Sequence, residues 1–459
     1  MNQKQLEKIK NDYLKGNPLF NTPQNIHPLE TRIVLKNYQI INPESITEYI
    51  AKDGYYAIFK TLNMTQEEVV NEIIISKLRG RGGVGFPTGL KWKFTLGYKS
   101  KQKYVICNAD EGEPGTFMDR HILEGDPHNT IEGMMIAGYA IGANKGYIYV
   151  RAEYPLAASR LQKAIDDALE LGILGNNVFE TNFSFNIEIR LGAGAFICGE
   201  ETALMESIEG KRGLSRNKPP FPAETGLFGK PTIINNVETI ANISTIILKG
   251  GKWYNKIGTK NSTGTKVFSL SGKTKNNGIF EVPMGISLRE VIYEIGGGMQ
   301  QGSTFKAAYT GGPSGGILTK KHLDEIIDFD SLIDLGSIMG SGGIIIADQT
   351  NCVIDTIKHF MKFNVEESCG KCTPCREGTT IIYNILDNIT KGKSSMEELE
   401  KLKHLSKMVS STSLCGLGQA APSPIFSALE HFYDEFIDHI INKKCSAGIC
   451  NMSTDKGVK

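Results

Sequence analysis

Three of the chain's nine cysteines lie within seven residues, and this spacing constrains the fold more than any other feature. Cys369, Cys372 and Cys375 are followed by Cys415, which gives the pattern C-x2-C-x2-C-x39-C. Thiols three residues apart on a turn point to one centre, so a single loop can hold three corners of an iron-sulfur cube. Structural zinc sites usually present two separated pairs of ligands. The pattern therefore favours a [4Fe-4S] cluster, with zinc as the alternative.

The composition excludes several other classes of protein. The 459 residues suffice for about three domains, and 51 basic against 50 acidic residues give a net charge of +1. We therefore expect no nucleic-acid partner. No apolar run is long enough for a membrane span, and the first residues lack the apolar core of a signal peptide. An odd number of cysteines without a disulfide framework suits a reducing compartment, so we expect a cytoplasmic protein without direct membrane insertion.

A glycine-rich segment is the second strong feature. Five of the twelve residues in 78–89 are glycine, and a helix with the capping-box pair Thr65 and Glu68 precedes them. The segment matches neither a Walker A sequence nor G-x-G-x-x-G. Arginines within it and the following 91–94, where lysines alternate with aromatic residues, are unusual for a flexible linker. It predicts a loop that cradles a phosphate, with a linker as the alternative.

Strands and helices then alternate. Buried-strand patterns at 104–107, 146–150 and 185–191 are separated by helical patterns, which is typical of an α/β domain with a largely parallel sheet. The first strand runs into the acidic turn 108–116, and α/β folds place ligand contacts where strands end. A ligand-binding turn is favoured here, and a solvated acidic turn is the alternative.

Further along the chain, the pattern changes twice. We expect a Rossmann-like α/β domain, then a small α+β domain of β-grasp type, and then a C-terminal helical bundle that carries the cluster. The predicted divisions are 1–70 (helical or irregular), 71–255 (α/β), 256–347 (β-grasp), 348–441 (helical, cluster-bearing) and 442–459 (a cysteine-containing tail).

Six motifs in this order resemble one known family. They lie at 79–92 (RGRGGVGFPTGLKW), 108–115 (NADEGEPG), 198–202 (CGEET), 218–222 (KPPFP), 234–239 (INNVET) and 367–378 (ESCGKCTPCREG). Together they resemble the flavin-bearing, NADH-oxidising subunit of respiratory complex I. They are equally similar to the homologous diaphorase subunits of NAD-linked hydrogenases, formate dehydrogenases and electron-bifurcating complexes. The resemblance covers residues from about 10 to 440.

The resemblance implies FMN, NAD(H) and a [4Fe-4S] cluster as cofactors, and it assigns residues to each. Those implied to hold FMN are Gly80, Arg81, Gly82, Lys91, Asn108, Asp110, Glu111, Phe196, Gly199, Glu200, Asn235 and Asn236. Those implied to bind NADH are Phe86, Phe94 and Phe221 against its rings and Lys218 on its anionic side. Those implied as catalytic are Glu113, on the carboxamide side of the nicotinamide, and Glu201, on the ribose hydroxyls.

Two of these positions affect specificity. A carboxylate at Glu201 would repel a 2′-phosphate, so we expect NAD rather than NADP. Phe196 stands where respiratory members commonly have tyrosine, so a hydroxyl contact to the flavin is absent.

The function implied is that of an NADH:acceptor oxidoreductase subunit in a hetero-oligomer. We expect a separate thioredoxin-like [2Fe-2S] subunit and a larger iron-sulfur, hydrogenase or formate dehydrogenase-type subunit as partners. A soluble anaerobic hydrogenase-type complex, NAD-linked or electron-bifurcating, is favoured. The alternatives are the peripheral arm of complex I and a non-catalytic electron-relay subunit.

The remaining cysteines are of two kinds. Cys445 and Cys450 near the end of the chain, with or without His439, are a candidate zinc site, although unligated thiols on a frayed tail are favoured. Cys107 and Cys352 lie in apolar contexts, as does Cys198, so we expect structural, buried thiols there.

Overall fold

A computed structural model describes residues 1–16, 20–21 and 26–452 of the chain. The strands are β1 (Tyr104–Ala109), β2 (Lys145–Arg151), β3 (Asn186–Gly192), β4 (Thr232–Asn236), β5 (Thr265–Gly272), β6 (Gly278–Pro283), β7 (Phe305–Thr310), β8 (Gly316–Leu318) and β9 (Gly343–Asp348). The helices are α1 (Gln3–Lys15), α2 (Ile46–Ala51), α3 (Tyr56–Thr61), α4 (Gln66–Ser76), α5 (Thr88–Gly97), α6 (Met118–Gly125), α7 (Pro127–Ile141), α8 (Pro155–Glu170), α9 (Glu201–Ile208), α10 (Val237–Lys249), α11 (Gly251–Tyr254), α12 (Phe329–Asp334), α13 (Val353–Glu367), α14 (Thr379–Thr390), α15 (Met396–Thr412), α16 (Gly416–Ala420), α17 (Ser423–His431) and α18 (Tyr433–Ile440).

The chain divides into two compact units. Unit 1 comprises 1–112, 117–268 and 279–285, and unit 2 comprises 113–116, 269–278 and 286–459. The division predicted from the sequence is finer and stays a prediction.

Unit 1 contains a four-stranded parallel sheet in the order β3-β2-β1-β4. Strand β1 is central, and the chain moves from it to β2 on one side and later to β4 on the other. The carboxyl ends of β1 and β4 therefore diverge at a topological switch point, where α/β folds bind ligands. The register pairs Asn108 with Asn236 there, which brings two of the predicted flavin-binding amides together.

Helices of unit 1 begin and end where the sequence supplies caps. The hydroxyl of Thr65 accepts from the backbone N–H of Glu68, whose carboxylate accepts from the N–H of Thr65, so the predicted capping box is confirmed. Gly133 allows helix α7 to pack closely on α10. A Cβ at this position would overlap the carbonyl oxygen of Ile240. Asn129 locks the pair by donating to the carbonyl of Ala241 at 2.9 Å.

Unit 2 combines a mixed sheet with the C-terminal helices. The sheet order is β6-β5-β9-β7-β8, with β9 parallel to β5 and antiparallel to β7. Helices α13, α14, α15, α17 and α18 contribute to a second core, which includes Ile357, Leu386 and Phe436. A mixed α/β chain with a parallel sheet and a helical C-terminal region is thus confirmed, whereas the β-grasp assignment stays a prediction.

A buried carboxylate ties an irregular segment to unit 1. Glu281 is fully buried, and its carboxylate accepts from the backbone N–H groups of Ile33, Val34 and Leu35 at 2.8 to 3.0 Å and from the hydroxyl of Thr265. The side chain thereby satisfies three buried backbone donors that no strand or helix pairs.

Titration of Glu281 should make the stability of the protein depend on pH, and a variant that lacks the carboxyl group should lose this dependence. Burial raises the pKa of this carboxyl to about 6, so between pH 4.5 and 6 the folded protein keeps a proton that the unfolded chain releases. Stability contributed by the group is therefore lost as the pH rises. Urea titrations of the wild type and of Glu281→Gln give the difference between their free energies of unfolding. We expect this difference, wild type minus variant, to fall by about 1.5 kcal/mol from pH 4.5 to pH 7. A difference independent of pH would contradict this.

Candidate flavin, nucleotide and metal sites

The glycine-rich segment forms a hairpin-like loop in unit 1. Gly80 N–H donates to the carbonyl of Phe86 at 2.9 Å, and Thr88 N–H donates to that of Leu78 at 2.9 Å. At the tip, a Cβ on Gly82 would lie 2.9 Å from Cβ of Asn236, so only glycine allows this approach, whereas Gly83 faces open space. Backbone this close to an asparagine at the end of β4 fits a loop that lies against a ligand.

The side chain of Arg81 points into the protein. Its side chain is fully buried and donates to the carbonyls of Thr263 at 2.7 Å and Thr265 at 3.1 Å and to the hydroxyl of Tyr254 at 3.1 Å. Its backbone N–H donates to Thr239 Oγ1 at 2.8 Å. The guanidinium therefore anchors the loop from inside the protein, and the contact of Arg81 with the phosphate side of FMN stays a prediction.

Two carboxylates behind the loop share this interior. Lys266 Nζ pairs with Glu238 Oε2, and Arg81 Nε lies 4.0 Å from the other oxygen of Glu238. Asp119 lies near the same charges, and its burial raises its pKa well above the ordinary value. Because all four side chains are at most 5% exposed, this is a structural charge cluster without access for a ligand.

A second group of charges is partly exposed. Lys218 Nζ contacts Glu201 Oε1 at 2.5 Å and Glu200 Oε1 at 3.1 Å, and Lys91 Nζ lies 3.7 Å from Glu201 Oε2. Burial alone would raise the pKa of Glu201, but the two lysines lower it below the usual value. Glu201 is therefore a carboxylate at neutral pH. Lys91 also donates to the carbonyl of Ile234 at 3.0 Å.

The predicted amides are oriented by the backbone and by one indole. Asn108 Nδ2 donates to the carbonyl of Gly199 at 2.8 Å, and Asn235 Oδ1 accepts from the buried indole of Trp92 at 3.0 Å. Asn236 Oδ1 accepts from Thr239 N–H and caps α10. All these groups belong to unit 1, as the prediction requires.

The acidic turn is divided between the two units. The carboxylate of Glu111 is buried, accepts from the N–H groups of Asp119 and Arg120 at 3.0 and 3.1 Å, and so caps the start of α6. The contact of Glu111 with the flavin stays a prediction. Asp110 stays near Arg151, at 3.8 Å. Glu113, in contrast, belongs to unit 2.

Four aromatic residues complete the predicted set. Phe86, Phe94 and Phe221 are 47%, 54% and 57% exposed. Rings so exposed are available to stack on a planar ligand. Phe196 is half-buried, and a Cβ on Gly112 would lie 2.8 Å from its ring.

The cluster loop lies between α13 and α14 in unit 2. Cys369, Cys372 and Cys415 are half-buried, and Cys375 is buried. Burial raises the pKa of Cys375 to about 11; the hydroxyl of Ser368, 3.3 Å from its sulfur, opposes this, and the other three thiols add to it. Four mutually interacting thiols, three of them on one loop, fit the donor set of a [4Fe-4S] cluster.

A second group of possible ligands was only partly predicted. Cys352, His439, Cys445 and Cys450 place one ligand atom each within 4.8 Å of the others. Cys352 Sγ lies 3.4 Å from His439 Nε2 and 3.7 Å from Cys450 Sγ. His439 Nδ1 lies 2.7 Å from the carbonyl of Glu435, and a hydrogen bond to this carbonyl leaves Nε2 directed at the thiols.

Spacing and charge both fit one metal ion here. A tetrahedral Cys3His set is a common zinc site, and its sulfurs lie closer together than those around a cube. The contact with Cys450 lowers the pKa of Cys352 below that of an ordinary thiol. The expectation of a merely structural thiol at Cys352 is corrected, and the tail cysteines join it instead of remaining frayed.

The chain is similar to proteins of one family. The family model described as "Nuo51 FMN-binding domain" matches residues 73–245. The family model described as "NADH-ubiquinone oxidoreductase-F iron-sulfur binding region" matches residues 355–439. The NADP-reducing hydrogenase subunit HndC of Solidesulfovibrio fructosivorans is 56% identical over 92% of this chain and 86% of its own length. The chain belongs to the family of FMN-binding, NADH-oxidising subunits.

Two more members extend the comparison. An NADH-quinone oxidoreductase subunit of Rhizobium meliloti is 45% identical over 90% of this chain and 98% of its own length. A crystal structure of an NAD+-reducing [NiFe]-hydrogenase in the H2-reduced state matches with a TM-score of 0.76 and 35% identity. That match covers 82% of this chain but only 62% of the hydrogenase chain.

Membership in this family gives the chain FMN and a [4Fe-4S] cluster, and the residues present fit both. Asparagines at the ends of β1 and β4 and the glycine loop surround one edge of the parallel sheet, and four thiols lie in the iron-sulfur region. None of the helices in the described part of the chain is long and apolar enough to cross a membrane.

Replacing Arg81 should destabilise unit 1. In Arg81→Met, Glu238 loses a buried cation and two carbonyls lose their donor, so we expect a loss of about 3 kcal/mol in the free energy of unfolding. Urea denaturation followed by circular dichroism measures it. The control is Arg190→Met, whose surface pair with Glu188 is worth less than about 1 kcal/mol. If Arg81→Met lost FMN but kept the stability of the wild type, the result would instead support a direct contact between Arg81 and the FMN phosphate.

The four-ligand group should retain zinc. We expect about one zinc per chain by elemental analysis of anaerobically purified protein, and much less in Cys352→Ser and Cys450→Ser, because three ligands hold the ion more weakly. Iron should stay constant, since the cluster uses other thiols. Cys107→Ala, a buried cysteine outside the group, is the control. Full zinc content in both serine variants would exclude the site.

Proposed function

We propose that this subunit oxidises NADH at FMN in unit 1 and passes single electrons through the [4Fe-4S] cluster of unit 2 to partner subunits. When bound, FMN takes up a hydride and releases its electrons singly, which suits a one-electron cluster. The protein's own residues therefore have to bind and orient the dinucleotide; no side chain need act as an acid or a base in hydride transfer itself.

The main support for the proposal is that two lysines hold the carboxylate of Glu201 in place. Lys91 and Lys218 keep it ionised and fix its direction, and a fixed carboxylate can accept from two ribose hydroxyls. Lys218 then offers its remaining N–H donors to the anionic part of the dinucleotide. A non-catalytic relay protein would have no use for this arrangement.

The exposed rings supply the apolar half of the nucleotide site. We assign Phe86, Phe94 and Phe221 to stacking against the adenine and nicotinamide rings. Planar stacking contacts orient a dinucleotide with little loss of side-chain entropy, because phenylalanine has only two rotatable side-chain bonds. Glu113 is assigned to the carboxamide.

Glu201 also bears on the choice between NAD and NADP. An ionised carboxylate at the ribose repels a 2′-phosphate, so NADH is the proposed donor. The hydrogenase subunit that is 56% identical is named NADP-reducing. The choice of nucleotide is thus the sharpest test of the role given to Glu201.

We assign the protein to a soluble, anaerobic hydrogenase-type complex in the cytoplasm, NAD-linked or electron-bifurcating. The higher identity to a hydrogenase subunit than to a quinone oxidoreductase subunit supports this. A thioredoxin-like [2Fe-2S] subunit and a larger iron-sulfur subunit are the proposed partners. Within the chain, 256–347 is proposed as a β-grasp domain and 348–441 as the cluster domain.

Replacing Glu201 by glutamine should weaken NADH oxidation selectively. We expect kcat/KM for NADH, with an artificial acceptor, to fall about tenfold, because a charge-assisted contact to the ribose is lost. The ratio of NADPH to NADH activity should rise, since the repulsion is removed. An anaerobic titration with each nucleotide, followed by absorption and EPR, measures both reduction steps.

The matched control is Glu206→Gln, on the same helix, where the carboxylate pairs with Arg216 at 2.5 Å. It should leave the nucleotide ratio unchanged. If Glu201→Gln oxidises NADH as the wild type does, the assigned role is wrong. If the wild type is reduced by NADPH and not by NADH, the nucleotide assignment is wrong.

A further inference from the structure

Glu113 is held by unit 2 although the residues on both sides of 113–116 belong to unit 1. Thr116 fixes the turn, because its N–H and hydroxyl both donate to the carbonyl of Glu113, at 3.1 and 2.6 Å. Ser341 holds the side chain: its hydroxyl donates to Glu113 Oε2 at 2.6 Å. A distance this short is typical of a hydroxyl that donates to an ionised carboxylate.

Two glycine turns close on the same carboxylate. A Cβ on Gly312, where φ is +53°, would overlap Glu113 Oε1, and a Cβ on Gly340, where φ is +56°, would lie 3.6 Å from it. Both positions thus need glycine for their backbone conformation, and Gly312 needs it also for space. Gly312, Gly340 and Ser341 together form what we term the carboxylate clamp.

The clamp limits where Glu113 can point. Ser341 donates to one oxygen of this carboxylate, and the backbone of Gly312 lies so close to the other oxygen that a Cβ there would overlap it. A glutamate side chain on an open turn would sample several rotamers, and each binding event would have to order it. A clamped carboxylate has already lost that entropy.

We propose that Ser341 is a positioning residue for nicotinamide recognition: it orients Glu113 so that a carboxylate oxygen accepts from the carboxamide NH2 of NADH. This rests on the proposed function, which assigns Glu113 to the carboxamide. Ser341 lies in the turn just before β9, and none of the sequence motifs includes it. A hydroxyl in this role acts through Glu113 and does not touch the nucleotide.

The test compares NADH with an analogue whose carboxamide is replaced by an acetyl group. The reduced 3-acetylpyridine dinucleotide keeps the carbonyl but has no N–H to donate. In the holoprotein, Ser341→Ala should lower kcat/KM for NADH about tenfold, chiefly through KM, and change that for the analogue less than about twofold. Ser341→Thr, which keeps the hydroxyl, should restore most of the NADH activity.

Two further variants separate positioning from a general structural effect. Glu113→Ala should remove the same preference for NADH, and adding Ser341→Ala to it should cause little further loss, since both act on one contact. Ser303→Ala is the matched control, because Ser303 donates to the carboxylate of Asp348 at 2.7 Å elsewhere in unit 2. It should leave the ratio of the two substrates unchanged.

The outcomes are distinct. Equal losses for NADH and the analogue in Ser341→Ala would overturn the proposal and make the serine merely structural. An additive loss in the double variant would do the same, and this measurement remains decisive if Ser341→Ala alone folds poorly. If the wild type oxidises neither substrate, the proposed function fails first; normal wild-type activity with an unaffected Ser341→Ala would overturn the positioning role alone.

Discussion

One buried set of charges supports the flavin side of unit 1. Glu238 joins Lys266 to Arg81, accepts from the N–H of Val267 at 2.8 Å, and is only 1% exposed. Charges so buried are stable only when each is paired, and removal of one partner costs about 3–5 kcal/mol. Because the backbone of Arg81 also bonds Thr239 at the start of α10, the glycine loop cannot shift without breaking this set. The backbone of the loop that is predicted to face the flavin is thus held in place from the interior of unit 1.

A second set of paired charges in unit 1 is more exposed. Glu201, Lys91 and Lys218 are also a paired set, but each is about a quarter to a third exposed, so their remaining donors and acceptors can reach a ligand. Burial thus separates the set that stabilises the loop from the set that we propose binds the nucleotide. In unit 2, Ser341 donates to the carboxylate of Glu113, and the backbone of Gly312 lies close beside it.

The sequence predicted what depends on local pattern. Cysteine spacing gave the cluster loop, alternating strands and helices gave the parallel sheet, and Thr65 with its partner gave a helix start. It failed where a side chain's fate depends on distant neighbours. The sequence did not predict that the guanidinium of Arg81 is buried behind the glycine loop or that the carboxylate of Glu111 caps a helix. Cys352 meets His439 across 87 positions, a contact that no spacing rule predicts.

The four-ligand group has a consequence in terms of chain topology. Cys352 and Cys450 are 98 positions apart, and the thiols predicted to hold the cluster, from Cys369 to Cys415, lie between them. A metal ion there would close an outer loop around the inner loop that the cluster closes. Nested closures help each other, since closing the outer loop first leaves the inner ends fewer conformations to lose. Zinc outside the electron path would therefore favour assembly of the cluster without sharing a ligand with it.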